Sequence, residues 1–173
     1  MFPITVNSIA LGTFILASST LTASAISLPS PSSANSPVVQ VSQSSTSNIE
    51  QSIFKQINQY RTSKGLSPLS RDPRIDSQSK NHSQDMANGK IPLSHEGFDN
   101  RVKATGIVIK RATENVAYTK GFNDPAAQAV RGWLKSPAHL GSIQAKDYNE
   151  TGIGVASNSK GEIYFTQIFV RTK

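Results

Sequence analysis

The sequence predicts an α+β fold, a three-layer α-β-α sandwich in which a small antiparallel sheet lies between two layers of helices. Two observations carry this prediction. In the first half of the folded region, apolar residues recur at helical spacing, at Ile49, Ile53, Ile57 and Tyr60. Near the C-terminus, a strand over residues 162–170 has apolar side chains on both faces: Ile163, Phe165 and Phe169 on one, Tyr164, Ile168 and Val170 on the other. Such a strand belongs between other layers, and helices on both sides of the sheet satisfy it.

The first two helices have clear sequence signals at their ends. The first begins near Ser47, which forms a capping box with Glu50, and Gly65 suits its left-handed C-terminal residue. The second begins at Asp72-Pro73, an N-cap followed by proline at the first helical position, and ends near Gly89. Its inward stripe is thin and would let another element approach closely. The stripe consists of Ile75, Ser79, His82 and Met86.

The second half of the domain predicts further helices followed by a hairpin. Phe98 and Val102 predict a short third helix, and residues 107–109 are extended or irregular. A fourth helix opens at 123–125 with Asn-Asp-Pro and ends at 136–137 with Ser-Pro. The strands Ile153–Ala156 and Glu162–Val170 flank an Asn-Ser-Lys-Gly turn, and together they predict a β-hairpin.

The N-terminal part of the chain does not resemble the start of a globular domain, because its first charged residue is Glu50. The apolar run from Ile9 to Leu21 is too short to span a bilayer, and Ala23-Ser24-Ala25 offers small residues for a cleavage site. We therefore expect a signal peptide over 1–25, a disordered Ser/Pro-rich linker over 26–48 and one folded domain over 49–173. No Lys or Arg precedes the apolar run, which leaves an uncleaved membrane anchor as the alternative.

The net charge of +7 belongs entirely to the predicted domain. Its basic residues are scattered and few aromatics are interleaved with them, so the sequence argues against nucleic-acid binding. Weak association with an anionic cell wall or membrane surface fits the charge better. The absence of cysteine excludes disulfides and thiolate chemistry. We expect a monomer.

Three histidines are the candidates for site chemistry. His82 lies on the buried stripe of the second helix and is interpreted as a hydrogen-bonded core residue. His95 follows that helix in a loop, and His139 follows Ser136-Pro137. Taken singly, each of these two fits a surface histidine as well as a functional one. No local metal motif, nucleophile elbow or phosphate loop is present, so spacing alone leaves the function open.

An ordered series of short sequence blocks narrows the range of possible functions. The series is Asn58-x-x-Arg61, Gly65-Leu66-x-Pro68-Leu69, Ser83-Gln84-Asp85-Met86-Ala87, Ser94-His95, Arg101, Glu114-Asn115-Val116-Ala117, Trp133-x-x-Ser136-Pro137-x-His139 and Gly152-Ile153-Gly154-Val155. In this order the blocks resemble those of bacterial members of the SCP/CAP superfamily. That superfamily also contains cysteine-rich secretory proteins, insect venom antigens and plant pathogenesis-related proteins. The resemblance runs from about Ile49 to the C-terminus.

The resemblance implies a large central cleft in which His95, Glu114 and His139 converge. As catalytic residues these three could share protons or hydrogen-bond a polar ligand, and as metal ligands they could hold zinc or another divalent metal. Eukaryotic members have a second glutamate in the cleft, and Ser136 occupies its place here. Glu96 and Asp147 are candidate substitutes. Thr113, Ala138 and Leu140 are further departures from the family pattern.

The leading functional hypothesis is therefore a binding module that is secreted, extracellular or periplasmic. Its cleft, with or without a metal, would capture a small ligand, lipid, glycan or peptide. The alternative is a metal-dependent, peptidase-like hydrolase that uses Glu114 as its general base. Asn115 and Gln167 could steer the cleft through hydrogen bonds or could satisfy buried backbone groups. Whether the protein is an enzyme stays open at this point.

Overall fold

The computed structural model describes residues 43–172, with side chains from residue 45 onward. The predicted signal peptide and most of the predicted linker lie outside the described residues. The elements in chain order are α1 Gln43–Ser63, β1 Ser70–Arg71, α2 Pro73–Ala87, α3 Phe98–Ala104, β2 Ile109–Lys120, α4 Pro125–Lys135, α5 Pro137–Gln144, β3 Glu150–Ser157 and β4 Glu162–Thr172. No helix among these residues is both long enough and apolar enough to cross a membrane.

The strands form one four-stranded sheet in the order β1-β3-β4-β2. The predicted hairpin is β3 and β4, and β2 adds to the other side of β4 in antiparallel register. The prediction of an antiparallel sheet needs one correction, because the two-residue β1 pairs with β3 in parallel. β2 was not predicted as a strand. Its polar centre, residues 113–115, interrupts the apolar alternation that marks a half-buried strand.

Helices cover both faces of the sheet, which confirms the three-layer architecture. On one face α1, α4 and α5 enclose the larger core, with Trp133, Ile53, Ile57, Phe165 and Phe169 almost fully buried. On the other face α2 and α3 pack against Ile168 and Val170. Successive side chains of β4 therefore point alternately into the two cores, as its two apolar faces predicted.

Helix α2 lies close against β3, as its thin stripe predicted. A Cβ atom on Gly154 would lie 2.1 Å from the Lys80 backbone nitrogen, and one on Gly152 would lie 2.3 Å from the Ile75 carbonyl carbon. The hydroxyl of Ser83 donates to the Gly154 carbonyl oxygen at 2.9 Å. Glycine in the strand and serine in the helix thus bring the two backbones together.

The ends of the helices agree only partly with the sequence signals. Asp72 caps α2 by accepting from the Arg74 backbone N–H at 2.8 Å, and Asp124 caps α4 by accepting from the Ala127 N–H at 2.9 Å. Helix α1 instead begins at Gln43, within the stretch assigned to the linker, so Ser47 lies inside the helix. Thr46 explains the extension, because its buried side chain accepts a hydrogen bond from Lys80 on α2.

Arg61 fixes α5, the helix that carries His139. It is fully buried, with no carboxylate partner among the described residues, and donates to the carbonyl oxygens of Ile143 at 2.8 Å and Ala145 at 2.9 Å. These carbonyls lie at the C-terminal end of α5, where backbone acceptors lack partners within the helix. The guanidinium therefore ties α1 to the end of α5.

Candidate functional site

Glu114 is the centre of the candidate site. It lies in the middle of β2 on the face covered by α2 and α3, and only 2% of its side chain is exposed. A buried carboxylate is stable only with charged or hydrogen-bonding partners. Arg101 on α3 supplies them, because its Nη2 lies 2.8 Å from Oε1 and its Nε lies 3.1 Å from Oε2. The two-pronged contact fixes the plane of the carboxylate.

His95 completes this group from the loop that follows α2. Its Nδ1 lies 2.9 Å from Glu114 Oε1, and because the ionised carboxylate of the Arg101 pair only accepts, Nδ1 carries the proton. In the neutral form of the ring, the other nitrogen, Nε2, is then an unprotonated acceptor or ligand. Since 53% of the His95 side chain is exposed, that nitrogen faces solvent. Glu114 therefore selects the tautomer of His95.

His82 supports the loop rather than the site itself, which agrees with its interpretation as a core residue. Its side chain is 1% exposed, and its Nε2 donates to the carbonyl oxygen of Ser94 at 2.8 Å. The same nitrogen lies 3.9 Å from Glu114 Oε1. Burial lowers the pKa of His82, so the ring is neutral at neutral pH. The bond to Ser94 holds the backbone directly before His95.

His139 lies near this group but does not contact it. It is on α5, and Asn115 Nδ2 donates to its backbone carbonyl oxygen at 3.1 Å. Burial, and then the charge of His95, lower the pKa of His139, which favours the neutral ring. No hydrogen bond or ion pair joins its ring to another described residue. The structure therefore joins His95 to Glu114 directly, and brings His139 within electrostatic range of His95.

The site geometry bears on the role predicted for Glu114. Its oxygens already accept from Arg101 and His95, and its side chain is buried. Among residues 45–172, no group of three or more His, Asp or Glu side chains is placed to hold a metal ion. The predicted roles of Glu114 as a metal ligand and as the general base of a hydrolase stay predictions. The hydrogen bond between Glu114 and His95 is the kind of contact that orients an imidazole ring.

The two candidate substitutes for the second cleft glutamate are an ion-paired residue and an exposed one. Asp147 Oδ2 pairs with Arg111 Nη1 at 2.9 Å, and Glu96 is exposed. Asn115 combines the two roles open to it. It is fully buried and holds the His139 backbone, while its Oδ1 has no hydrogen-bond partner within the part of the chain that the structure describes. Gln167 donates to Thr151 Oγ1 at 3.1 Å and does not reach the site through a hydrogen bond.

Arg101 is the site residue to which the sequence analysis assigned no role. It stood in the ordered blocks between His95 and Glu114 as a single basic residue on a short helix. The signal that could have identified it is the buried carboxylate, which requires a cation nearby once Glu114 is placed inside the domain.

Comparison with known proteins defines the class to which this fold belongs. A family model described as the cysteine-rich secretory protein family, CAP, matches residues 54–169. The chain belongs to the CAP family. None of the curated proteins is similar enough in sequence to count as a relative.

Solved structures of this fold include bacterial proteins from outside the cytoplasm. An extracellular protein containing a SCP domain from Bacillus anthracis str. Ames is 24% identical with a TM-score of 0.66, covering 74% of this chain and 42% of that one. An outer surface protein from Borrelia burgdorferi is 18% identical with a TM-score of 0.65, covering 74% and 96%. NaASP2, solved with Zn²⁺, is 13% identical with a TM-score of 0.55, covering 70% and 78%. This chain thus spans less than half of the Bacillus protein.

Proposed function

We propose that this protein is a binding module outside the cytoplasm that holds its ligand through the imidazoles of His95 and His139. The observation that carries the proposal is the bond from His95 Nδ1 to Glu114, which leaves the exposed Nε2 as a free donor of an electron pair. His139 contributes a second neutral ring, since its pKa is lowered. In this proposal Glu114 and Arg101 are positioning residues, and neither contacts the ligand.

Zn²⁺ is a suitable probe for such a pair, because it binds neutral imidazole nitrogens and leaves other coordination positions open to a ligand. Titration of the full chain with Zn²⁺ by calorimetry should show one site. We expect binding to be lost in His95→Ala and in His139→Ala. It should persist in Glu114→Gln, because the amide oxygen still accepts from Nδ1 of His95.

Lys135→Ala is a matched control for the zinc titration, because Lys135 is an exposed residue on α4 and should leave the heat unchanged. The absence of zinc binding by the wild-type chain would contradict the two-imidazole proposal. Loss of binding in Glu114→Gln with the fold intact would instead restore Glu114 as a ligand.

The proposed location rests on two observations. The N-terminal residues have the apolar run and small-residue site of a signal peptide, and bacterial proteins with this fold are extracellular or on the outer surface. Expression of the full chain in a bacterial host, followed by mass spectrometry of the exported protein, tests this directly. A mature chain beginning at Ile26 is expected, and an uncleaved chain retained in the membrane fraction would contradict it.

A further inference from the structure

The outer edge of β2 is an unpaired strand edge beside the candidate site. Among residues 43–172, the sheet order is β1-β3-β4-β2, and β2 pairs with β4 alone. In an antiparallel pair, alternate residues direct their backbone groups toward the partner and away from it. Trp133 Nε1 donates to the Val116 carbonyl oxygen at 3.0 Å from outside the sheet, which shows that the even-numbered residues point outward. These are Ala112, Glu114, Val116, Tyr118 and Lys120.

The outward backbone groups of these five residues are largely without protein partners. Among the described residues, the bond from Trp133 is the one hydrogen bond made to them. Unpaired N–H and C=O groups in a row form a template for an added strand, and natural proteins usually cover or charge such edges. This edge instead runs past His95, which contacts Glu114 in the middle of the strand.

An apolar groove lies at the other end of the same edge. It has a volume of about 530 Å³ and is lined by Met86, Ile91, Pro92, Leu93, Tyr118 and Tyr164, among others. Leu93 is 50% exposed and Tyr118 is 42% exposed, and the Tyr118 and Tyr164 rings pack at a tilt with centroids 5.3 Å apart. The loop that carries Leu93 continues to His95, so groove and imidazole site share one wall.

We infer that β2 binds an extended peptide segment of another protein by strand addition, with a large apolar side chain of that segment in the groove. Backbone pairing provides affinity, and pockets for alternate side chains provide specificity. Glu114 and Tyr118 are four residues apart on one face, about 13 Å along a strand. The bound segment would therefore carry an apolar residue near Tyr118 and, four positions away, a polar residue near His95.

This inference rests on the proposed function, because it names the ligand class of the same site, but the two can fail separately. A chain that binds peptide but no Zn²⁺ would contradict only the two-imidazole proposal. A chain that binds Zn²⁺ but no peptide would contradict only the strand addition.

The test begins with random twelve-residue peptides displayed against the immobilised full chain, followed by affinity measurement on one selected peptide. N-methylation of alternate peptide amides should weaken binding about tenfold or more in one register and little in the other, because only one register donates to β2. Equal effects of the two methylated registers, or the enrichment of no peptide, would overturn the inference.

Two protein variants provide a matched pair for the same experiment. Tyr118→Ala removes the ring, whereas Tyr118→Pro removes the ring and the outward N–H but no ladder bond to β4. We expect Tyr118→Pro to bind about tenfold more weakly than Tyr118→Ala. Equal affinities of the two variants would overturn the inference. A second outcome would also overturn it. If the wild-type chain without peptide self-associates in sedimentation and Tyr118→Pro abolishes that association, the edge binds a second copy of this chain.

Discussion

The two sides of the sheet use their polar residues differently. On one side the two-residue β1 covers only Glu150 and Thr151, so the rest of β3 forms an edge; on the other side the edge is β2. At the β3 edge, the N–H groups of Ile153 and Val155 donate to Asp76 at 2.8 Å and Glu50 at 3.0 Å. Arg71 donates to the Ile153 carbonyl oxygen at 3.4 Å, and Lys80 donates to that of Val155. Side chains from the helices and β1 thus take the place of a neighbouring strand.

At the β2 edge, the charged residues are directed away from the backbone. Glu114, Arg101 and His95 bond to one another, and among the described residues the outward N–H and C=O groups of the strand have one partner, the Trp133 indole at the Val116 carbonyl oxygen. Charged side chains can protect a strand edge or can build a site beside it. Charged residues therefore protect the strand edge at β3, whereas in our proposal they build a binding site beside the edge at β2.

Removal of the buried cation at the β2 edge should have the largest effect on stability. Arg101→Met leaves the Glu114 carboxylate without its guanidinium in a position that is 2% exposed. An uncompensated buried charge costs about 3–5 kcal/mol. The free energy of unfolding from urea denaturation should fall by that amount.

The double variant Arg101→Met with Glu114→Gln distinguishes charge from packing at this position. It removes both charges, so most of the lost stability should return. If the double variant is as unstable as Arg101→Met, the loss comes from the packing of Arg101 on its neighbours. The ion pair would then be a minor contributor.

An added methyl group at the β3 edge should have the next largest effect. Gly154→Ala places a Cβ 2.1 Å from the backbone of α2, so strand and helix must separate and strain the bonds of Asp76 and Lys80 to the edge. We expect a loss of about 3 kcal/mol in urea denaturation. Gly132→Ala on α4 is the control, because an added Cβ there would lie more than 4 Å from every atom outside its own stretch of helix. A loss no larger than that of the control would show that α2 moves away freely.

The sequence predicted the two edges unequally well, and the reason is physical. Strand β4 and the caps Asp72 and Asp124 depend on neighbouring residues, so local patterns identified them. β2 has its polar residues where the site lies, and polar residues remove the alternation by which a strand is predicted. The pairing of Glu114 with Arg101 and the early start of α1 both depend on contacts between distant elements, which spacing does not encode.

Opening the β3 edge should have a moderate effect on stability and a distinct effect on association. Glu50→Ala with Asp76→Ala leaves the N–H groups of Ile153 and Val155 without acceptors. Because both carboxylates are partly exposed, we expect a loss of about 2 kcal/mol. The freed edge should also promote dimers, which sedimentation velocity detects. Glu50→Gln with Asp76→Asn is the control, since amide oxygens still accept. A variant that stays monomeric would mean that the charged side chains are not needed to protect this edge.

Acid should destabilise the fold through the β2 side of the sheet, because the histidines with lowered pKa, His82 and His139, belong to that side. For His82 the main cause is burial, which outweighs the bond to Ser94 that raises its pKa. In the unfolded chain these two imidazoles become protonated near pH 6.5, whereas in the folded chain they become protonated only at lower pH. The free energy of unfolding should therefore be highest above about pH 6.5 and fall as pH drops from there toward the folded pKa.

Urea denaturation at pH 7.5 and 5.5 checks this pH dependence. The variant His82→Gln should show a smaller difference between the two pH values, since its amide can still donate to Ser94 without taking up a proton. An equal difference in the variant would assign the pH dependence to His139 or to groups away from the site.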